Sequence, residues 1–247
     1  MQGERGGRGM RPVAVRLFLG AVLVTAAAGA AVADEVYTCG FEETEGFTLG
    51  ALNGQQSWIG NAAAVVGNTA ASGTQGAQFT ANGSYTGDMF VMGRRYFGNP
   101  LPRNLITVSQ DVMIDLENEA AWAVTLYAGN TLIHYVLFDW NGNVVVDDQT
   151  TGTNWTPMTW MTLTMDLDLT AGTAVVQLDG NPVSSGTLLG DPSLGIDNII
   201  LIGDNYIDEE AASMYYDSLS ITAIPEPATC ALLGFGMLGL AIRRRGK

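Results

Sequence analysis

The sequence predicts an all-β protein folded as an antiparallel two-sheet jelly-roll sandwich. Three observations predict it: apolar and polar residues alternate along several segments, dipeptides that favour tight turns separate those segments, and no long stretch of the body has the apolar period of a helix. One buried and one solvated face is typical of a sheet in a sandwich. The expected β domain covers residues 34–223.

The alternation is clearest over residues 106–116, where every second residue is apolar except Gln110. Residues 122–126 and 161–169 repeat it. Asn141-Gly142 and Asp179-Gly180 favour hairpins between such segments. With the remaining segments this gives about a dozen strands, enough for a jelly roll. The first and last strands, near Val36 and Ile221, are expected to pair at an edge.

The charge distribution excludes one class of partner. The chain has 11 basic and 25 acidic residues, a net charge of −14. Between Asp34 and Ile224, Arg94, Arg95 and Arg103 face 23 acidic residues, a charge of −20 for the body. Such a body repels polyphosphate, so nucleic acid is not an expected partner. One His and two Cys leave little material for a histidine triad or a zinc cluster.

The N-terminus is typical of a signal peptide. A basic stretch precedes an apolar run over 17–28, and small residues follow, ending at Ala31 and Ala33. This pattern predicts a signal peptide over residues 1–33 that is cleaved before Asp34 on the general secretory route. The alternative is an uncleaved membrane anchor.

The C-terminus has three parts: Pro225-Glu226-Pro227, an uncharged apolar segment over 228–242, and a basic tail over 243–247 that contains Arg243, Arg244 and Arg245. As a helix the segment spans about 22 Å. This is shorter than the ~30 Å hydrocarbon core, and snorkelling of the arginine side chains with local thinning of the bilayer can cover the difference. Basic residues stay cytoplasmic, so the body is expected outside the inner membrane. The alternative is a buried helix of the globular domain.

These three parts, over residues 224–247, resemble a PEP-CTERM sorting domain. The resemblance implies a Gram-negative bacterium that makes exopolysaccharide, and an exosortase that recognises Pro225-Glu226-Pro227 and cleaves nearby. The body is then anchored transiently in the inner membrane, facing the periplasm, and released to the cell surface or extracellular matrix. Cys230 would be lost on processing, which leaves Cys39 as a lone thiol that we expect to be buried.

The body resembles the concanavalin A-like, laminin-G-like jelly roll. The resemblance is carried by Phe41-Glu42 with Gly46-Phe47, by the run from Leu52 to Trp58, by the segment from Trp160 to Asp166 and by the closing run from Tyr216 to Ile221. The family contains glycoside hydrolases whose paired carboxylates follow a Glu-x-Asp-x-x-Glu or Glu-x-Asp-x-Glu pattern.

Here the first position of that pattern is Met113, followed by Asp115, Glu117 and Glu119. We therefore expect no catalytic residues and interpret these three acids as a solvated strand end. His134 lies in a strongly apolar segment and is expected in the core or on a sheet face rather than in catalysis.

Two ligand hypotheses remain. Asp166 and Asp168 share a strand face and could bind Ca²⁺ with a neighbouring strand, and Asp204 with Asp208 forms a second acidic group. Laminin-G-like domains carry calcium at the rim of the sandwich, so the resemblance implies a calcium site among these acids. The alternative is an acidic face that is simply solvated.

Carbohydrate binding requires exposed aromatic platforms. The candidates are Trp155, Tyr127 and Trp140, with Trp155 expected to be exposed, whereas Trp58 and Trp160 are expected to be packed.

The sequence therefore favours an exported structural or adhesive protein, sorted to the cell surface or an exopolysaccharide matrix, with weak carbohydrate binding. The alternative is an atypical polysaccharide hydrolase or lyase of the same fold. A third interpretation keeps the tail uncleaved, as the anchor of an envelope component.

Overall fold

The computed structural model describes residues 34–83, 90–101, 105–115, 120–205 and 211–224. Ala31 and Ala33 of the predicted signal peptide and the sorting residues from Pro225 onward lie outside the described residues. Within the described ranges, no helix is long and apolar enough to cross a membrane.

The described residues form two antiparallel sheets with sixteen strands in all. The nine-stranded sheet has, in spatial order, β14 (Asn181–Thr187), β13 (Thr173–Leu178), β12 (Met161–Asp168), β7 (Leu105–Ile114), β16 (Ala212–Ile224), β5 (Gly76–Ala81), β4 (Ala64–Gly67) and β2 (Gly50–Ala51), with β1 (Asp34–Cys39) paired to β16. The seven-stranded sheet has, in order, β11 (Gln149–Asn154), β10 (Asn143–Val146), β9 (Thr131–Phe138), β8 (Ala120–Ala128), β15 (Asn198–Asn205), β6 (Phe90–Tyr96) and β3 (Trp58–Gly60). The predicted all-β sandwich is confirmed.

Three short 3₁₀ helices complete the described elements: Glu43–Glu45, Gln55–Ser57 and Pro192–Leu194.

The core lies between the two sheets and follows the predicted alternation. The buried residues alternate along β12 and along β7 up to Val112, and Ile106, Val108 and Leu163 are fully buried. From the other sheet Trp122 and Val124 of β8 are fully buried as well. Each large apolar side chain that is removed from water in this way contributes about 1.5–3 kcal/mol to the free energy of folding.

The predicted hairpins form where expected. Asp179 and Gly180 both have positive φ values, 52° and 74°, which matches the primed turn between β13 and β14. The first and last strands pair as predicted, with Tyr37 opposite Ile221. The prediction that they pair at an edge is wrong for β16, because its other side pairs with β7 along most of its length.

The buried Gln110 explains the one break in the β7 pattern. The register between β16 and β7 shifts between Asp217 and Ser220, and Ser218 has a positive φ of 51°, as in a β-bulge. Gln110 is fully buried, and its Nε2 donates to the Asp217 carbonyl oxygen at 2.5 Å. The polar side chain therefore satisfies a carbonyl that the bulge removes from the ladder.

Asp217 fixes the same bulge to a distant loop. Its Oδ2 accepts hydrogen bonds from the backbone N–H groups of Ala71 and Ser72, each at 2.9 Å, and its Oδ1 accepts one from Ser218 N at 2.7 Å. The side chain is fully buried, and this burial raises its pKa. Three backbone donors therefore partly offset the unfavourable burial of the charge.

Cys39 is buried beside the aromatic cluster at the end of β1, as expected. Burial raises the pKa of its thiol to about 11. The thiolate is therefore scarce at neutral pH, and the native thiol is poorly reactive.

Asp217→Ala removes the acceptor for three backbone N–H groups, so we expect a loss of about 2–4 kcal/mol in the free energy of unfolding. The pKa of Asp217 is higher in the folded protein than in the unfolded chain, so protonation of this side chain favours folding. This contribution to stability is fully present below about pH 3.9, and it is lost as the pH rises through the pKa of the folded state. The stability gap between wild type and variant therefore narrows from about pH 3 to about pH 7. Urea denaturation over this range measures it.

Exposed Glu43 offers the matched control, since Glu43→Ala should change stability by less than about 0.5 kcal/mol. A gap for Asp217→Ala that widens with rising pH would contradict the assignment.

Cys39 should resist alkylation in the native protein, because its thiol is buried and its pKa is about 11. We expect iodoacetamide at pH 8 to leave Cys39 unmodified under native conditions and to modify it fully in guanidinium chloride. Peptide mass spectrometry of the Cys39 segment measures both states. Native labelling at the rate of a free thiol would show that the thiol is accessible.

Candidate functional site

The outer faces of the two sheets differ in character. The nine-stranded sheet presents hydrogen-bonded polar pairs, such as Thr107 Oγ1 to Asp166 Oδ1 at 2.7 Å and Thr162 Oγ1 to Asp111 Oδ1 at 2.6 Å. The seven-stranded sheet presents exposed apolar and aromatic side chains: Ile59 is 49% exposed, Phe90 44% and Tyr96 40%. An apolar outer face of this kind is a candidate binding surface.

Four residues on that face form what we call the tyrosine–arginine patch: Arg94, Tyr96, Tyr127 and Asn198. Asn198 of β15 lies in register between Tyr127 of β8 and Tyr96 of β6. Two strand spacings, about 10 Å, therefore separate the two tyrosine backbones. Arg94 precedes Tyr96 by two residues on β6 and shares its face.

Arg94 is held in a fixed orientation within the patch. Its Nε donates to Asn198 Oδ1 and its Nη2 donates to the Gly129 carbonyl oxygen, both at 2.9 Å. Its guanidinium carbon lies 4.5 Å from the centroid of the Tyr96 ring, a cation–π contact. These bonds use two of the five guanidinium N–H donors, so the remainder of the fork is pre-oriented.

A buried polar network supports Arg94 from below. Asn198 is fully buried, and its Nδ2 donates to Asp197 Oδ1 at 2.5 Å and to the Gly129 carbonyl oxygen at 3.2 Å. Gly129 N donates to both carboxylate oxygens of Asp197, at 2.9 and 3.0 Å. The turn after β8 and the first residue of β15 therefore both fix the position of the Arg94 side chain.

The patch is also where positive charge gathers in an acidic body. Arg94 and Arg95 are the basic residues within the described ranges, while Arg103 lies outside them. Arg95 Nη1 donates to the Tyr96 carbonyl oxygen at 3.0 Å, and its guanidinium carbon lies 5.0 Å from the Tyr37 ring centroid. Arg94 therefore lies on the face of Tyr96, whereas Arg95 lies on the opposite face of β6.

The three aromatic residues predicted to bind carbohydrate are not brought together. Tyr127 is half-buried in the patch, whereas Trp140, 44% exposed, lies in the turn at the opposite end of the sheet. The prediction that Trp155 is exposed is wrong, since it is buried. Its Nε1 donates to the Asp139 carbonyl oxygen at 3.0 Å, which packs it beneath the turn that carries Trp140.

Trp58 is fully buried, as expected, and Trp160 is half-buried.

The predicted calcium ligands have other partners. Asp166 accepts hydrogen bonds from Thr107 and Gln177, and Asp168 Oδ1 accepts from the backbone N–H groups of Thr170 and Ala171. In the described part of the chain no group of three or more Asp, Glu, His or Cys side chains could hold a metal ion. Asp204 lies on β15, but Asp208 lies outside the described residues, so that calcium site stays a prediction.

Of the three acids that align with the hydrolase motif, the structure describes Asp115. Asp115 directly follows β7, and its Oδ1 accepts a hydrogen bond from Ser213 N at 2.9 Å, a contact within the sheet. Glu117 and Glu119 lie outside the described residues. His134 is fully buried on β9, as predicted.

Sequence reasoning missed Arg94 and Asn198 as site residues. Arg94 carried a usable signal, because it is one of three arginines in a strongly acidic body. Asn198 carried none, since only the pairing of β15 with β6 and β8 places it between two tyrosines.

Comparison with protein families matches residues 223–245 to the PEP-CTERM protein-sorting motif. The chain carries a PEP-CTERM sorting motif. This motif implies processing by an exosortase and export to the cell envelope or surface. Comparison with curated protein sequences finds no match.

Solved structures share the sandwich fold of this chain. A carbohydrate esterase of the Shiga toxin-encoding bacteriophage phi24B superimposes with a TM-score of 0.56 at 16% identity, over 78% of this chain and 100% of that chain. A sialidase superimposes with a TM-score of 0.55 at 11% identity, over 68% of this chain and 17% of the sialidase. The chain thus spans about a sixth of the sialidase's length. A structure from work on endo-acting O-glycanases of human gut microbiota gives 0.51 at 9% identity, over 78% of this chain and 100% of that chain. At these identities the likeness shows the fold alone.

Proposed function

We propose that this PEP-CTERM protein is a structural or adhesive component of the cell surface or extracellular matrix that binds carbohydrate through the tyrosine–arginine patch. Catalysis is not part of the proposal. A polysaccharide hydrolase or lyase remains the alternative on this fold, and no contact in the described residues favours it.

The fixed position of Arg94 carries the proposal. Sugars offer apolar ring faces and hydroxyl edges, so they bind where an aromatic ring lies beside oriented polar groups. Tyr96 and Tyr127 supply the rings, and Arg94 supplies N–H donors that its bonds to Asn198 and Gly129 already orient. Pre-orientation lowers the entropy lost on binding.

The free N–H donors of Arg94 favour acidic sugars over neutral ones. A guanidinium binds a carboxylate through two parallel hydrogen bonds, which a neutral hydroxyl cannot reproduce. The apolar residues that continue along the same face, Met92 and Ile202 among them, offer contact area for further sugar rings. An acidic exopolysaccharide is therefore the partner we propose.

Three structural neighbours are a carbohydrate esterase, a sialidase and a structure from work on endo-acting O-glycanases, names that concern carbohydrate. This supports the ligand class for the present chain but says nothing about which residues would contact it.

The sorting motif supports the location. We propose that segment 228–242 holds the chain transiently in the inner membrane with the body in the periplasm, until an exosortase cleaves near Pro225-Glu226-Pro227. Proline disfavours helical backbone, so we expect Pro225-Glu226-Pro227 to be accessible to a protease.

Arg94→Ala and Tyr96→Ala should each weaken binding to a uronate-containing polysaccharide about tenfold or more, because each removes one half of the cation–π pair. Binding is measured by microarray and by calorimetry with purified alginate and with neutral dextran. Alginate should bind more tightly than dextran to the wild type, and the preference should disappear in Arg94→Ala.

Trp140→Ala is the matched control, since it removes an equally exposed aromatic at the far end of the same sheet. Loss of binding in Trp140→Ala with wild-type binding in Arg94→Ala would move the site away from the patch. No binding to any polysaccharide by the folded protein would remove the carbohydrate proposal altogether.

Processing at the sorting motif predicts that the mature protein lacks the arginine tail. Mass spectrometry of the protein recovered from the cell surface should find no peptide beyond about Pro227, and Pro225→Ala with Pro227→Ala should leave the tail in place in the membrane fraction. Recovery of a surface protein that still ends in Arg243, Arg244 and Arg245 would establish the uncleaved anchor instead.

A further inference from the structure

A cavity of about 530 Å³ lies between the two sheets, beside the edge strands β11 and β14. This volume is in the range of small-molecule sites. Its wall is built by both sheets and by the loop after β14. The lining residues that the argument uses are His134, Val146, Asp147, Ser184, Gly186 and Leu188.

Small side chains on β13 and β14 create the cavity. Ala174 faces the core and is paired with Gly186, and buried Val176 is paired with Ser184, so Gly186 and Ser184 also point toward the other sheet. Stacked sheets lie about 10 Å apart, and small residues cannot fill that gap. A Cβ placed on Gly186 would have no atom within 4 Å, which shows that the space is open there.

His134 reaches the same space from the seven-stranded sheet. It is fully buried and shares the inner face of β9 with Val136 and Phe138. Its Nδ1 lies 2.6 Å from Asp147 Oδ2, and Asp147 Oδ1 accepts a hydrogen bond from Tyr135 N at 3.0 Å. Both ends of the carboxylate are therefore engaged, and the imidazole ring is fixed.

The tight turn at Asp147 and Asp148 makes this contact possible. Both residues have positive φ values, 46° and 65°, as a two-residue primed turn requires. Tyr135 Oη donates to Asp148 Oδ1 at 2.6 Å and accepts from Asp148 N at 2.9 Å, which holds the turn against β9. The turn thereby directs Asp147 onto the histidine.

The second ring nitrogen of His134 has no partner. Nε2 is buried, and no described residue forms a hydrogen bond with it. The Asp147 carboxylate favours a proton on Nδ1, from which it accepts a hydrogen bond, and in that tautomer Nε2 carries the lone pair. A buried acceptor without a partner is unfavourable, and a ligand that donates a hydrogen bond to it would remove that penalty.

We propose that the cavity binds a small uncharged molecule with a hydroxyl group, and that the hydroxyl donates to His134 Nε2. Ser184 offers a second polar contact, while Val146 and Leu188 provide apolar walls for the rest of the molecule. The Asp147 carboxylate, which lines the cavity beside the histidine, disfavours anions at this site. This site is separate from the tyrosine–arginine patch and does not depend on the proposed function.

The single histidine of the chain makes the test specific. Long-range ¹H–¹⁵N NMR of the ¹⁵N-labelled full-length protein reports the two nitrogens of His134 without assignment ambiguity. The free protein should show the proton on Nδ1. Cyclohexanol should shift the Nε2 resonance saturably, whereas cyclohexanecarboxylate (anionic) and tetrahydropyran (no donor) should bind at least about tenfold more weakly.

Two leucine substitutions on β14 separate binding in the cavity from binding elsewhere. Gly186→Leu places a side chain in the open space, and its φ is not in the left-handed region, so the backbone accepts leucine. Asn181→Leu is the matched control, because Asn181 is exposed on the same strand and is not among the residues that line the cavity. We expect Gly186→Leu to weaken cyclohexanol binding about tenfold or more and Asn181→Leu to leave it unchanged.

Thermal unfolding checks that both variants fold. The proposal is overturned if the proton resides on Nε2 in the free protein, if cyclohexanol produces no saturable shift, or if Gly186→Leu binds it as the wild type does.

Discussion

The pairing of β16 with β7 is the interaction on which the rest of the structure depends. β16 runs beside β7 along one side, and on its other side it pairs first with β5 and then with β1. One strand can serve two neighbours on one side because a bulge between Asp217 and Ser220 bends it. Gln110 and Asp217 form hydrogen bonds with backbone groups around that bulge, so two buried polar residues stabilise the register between β16 and β7.

The sequence predicted the long strands well because their side chains alternate over eight or more residues. It missed β2, β3 and β4, which are only two to four residues long and carry no measurable period. It also missed the turn between β10 and β11, because Asp147-Asp148 adopts positive φ values without a glycine. Hydrogen bonds from Tyr135 and His134 stabilise that turn, and they depend on tertiary contacts that no local pattern shows.

The candidate site was less predictable than the fold. Tyr127 was identified from its residue type, but Trp155 was placed on the surface because it lies in a polar loop, and the structure buries it under a turn. Arg94 and Asn198 are 104 positions apart, so only strand pairing brings them together. A site assembled across strands in this way follows from register, and register in a sheet is set by long-range pairing rather than by neighbouring residues.

The surroundings of Arg94 argue for a role beyond stability. Its hydrogen bonds go to neutral acceptors, Asn198 Oδ1 and the Gly129 carbonyl oxygen, while the nearby Asp197 carboxylate is occupied by Asn198 and by Gly129 N. The contact between a basic side chain and a carboxylate found among the described residues is that of His134 with Asp147, so no carboxylate there neutralises Arg94 directly. A stabilising arginine in so acidic a body would be expected to pair with a carboxylate. One that is held by neutral groups and stacked on an exposed tyrosine keeps its charge available for an oxygen atom supplied by a ligand.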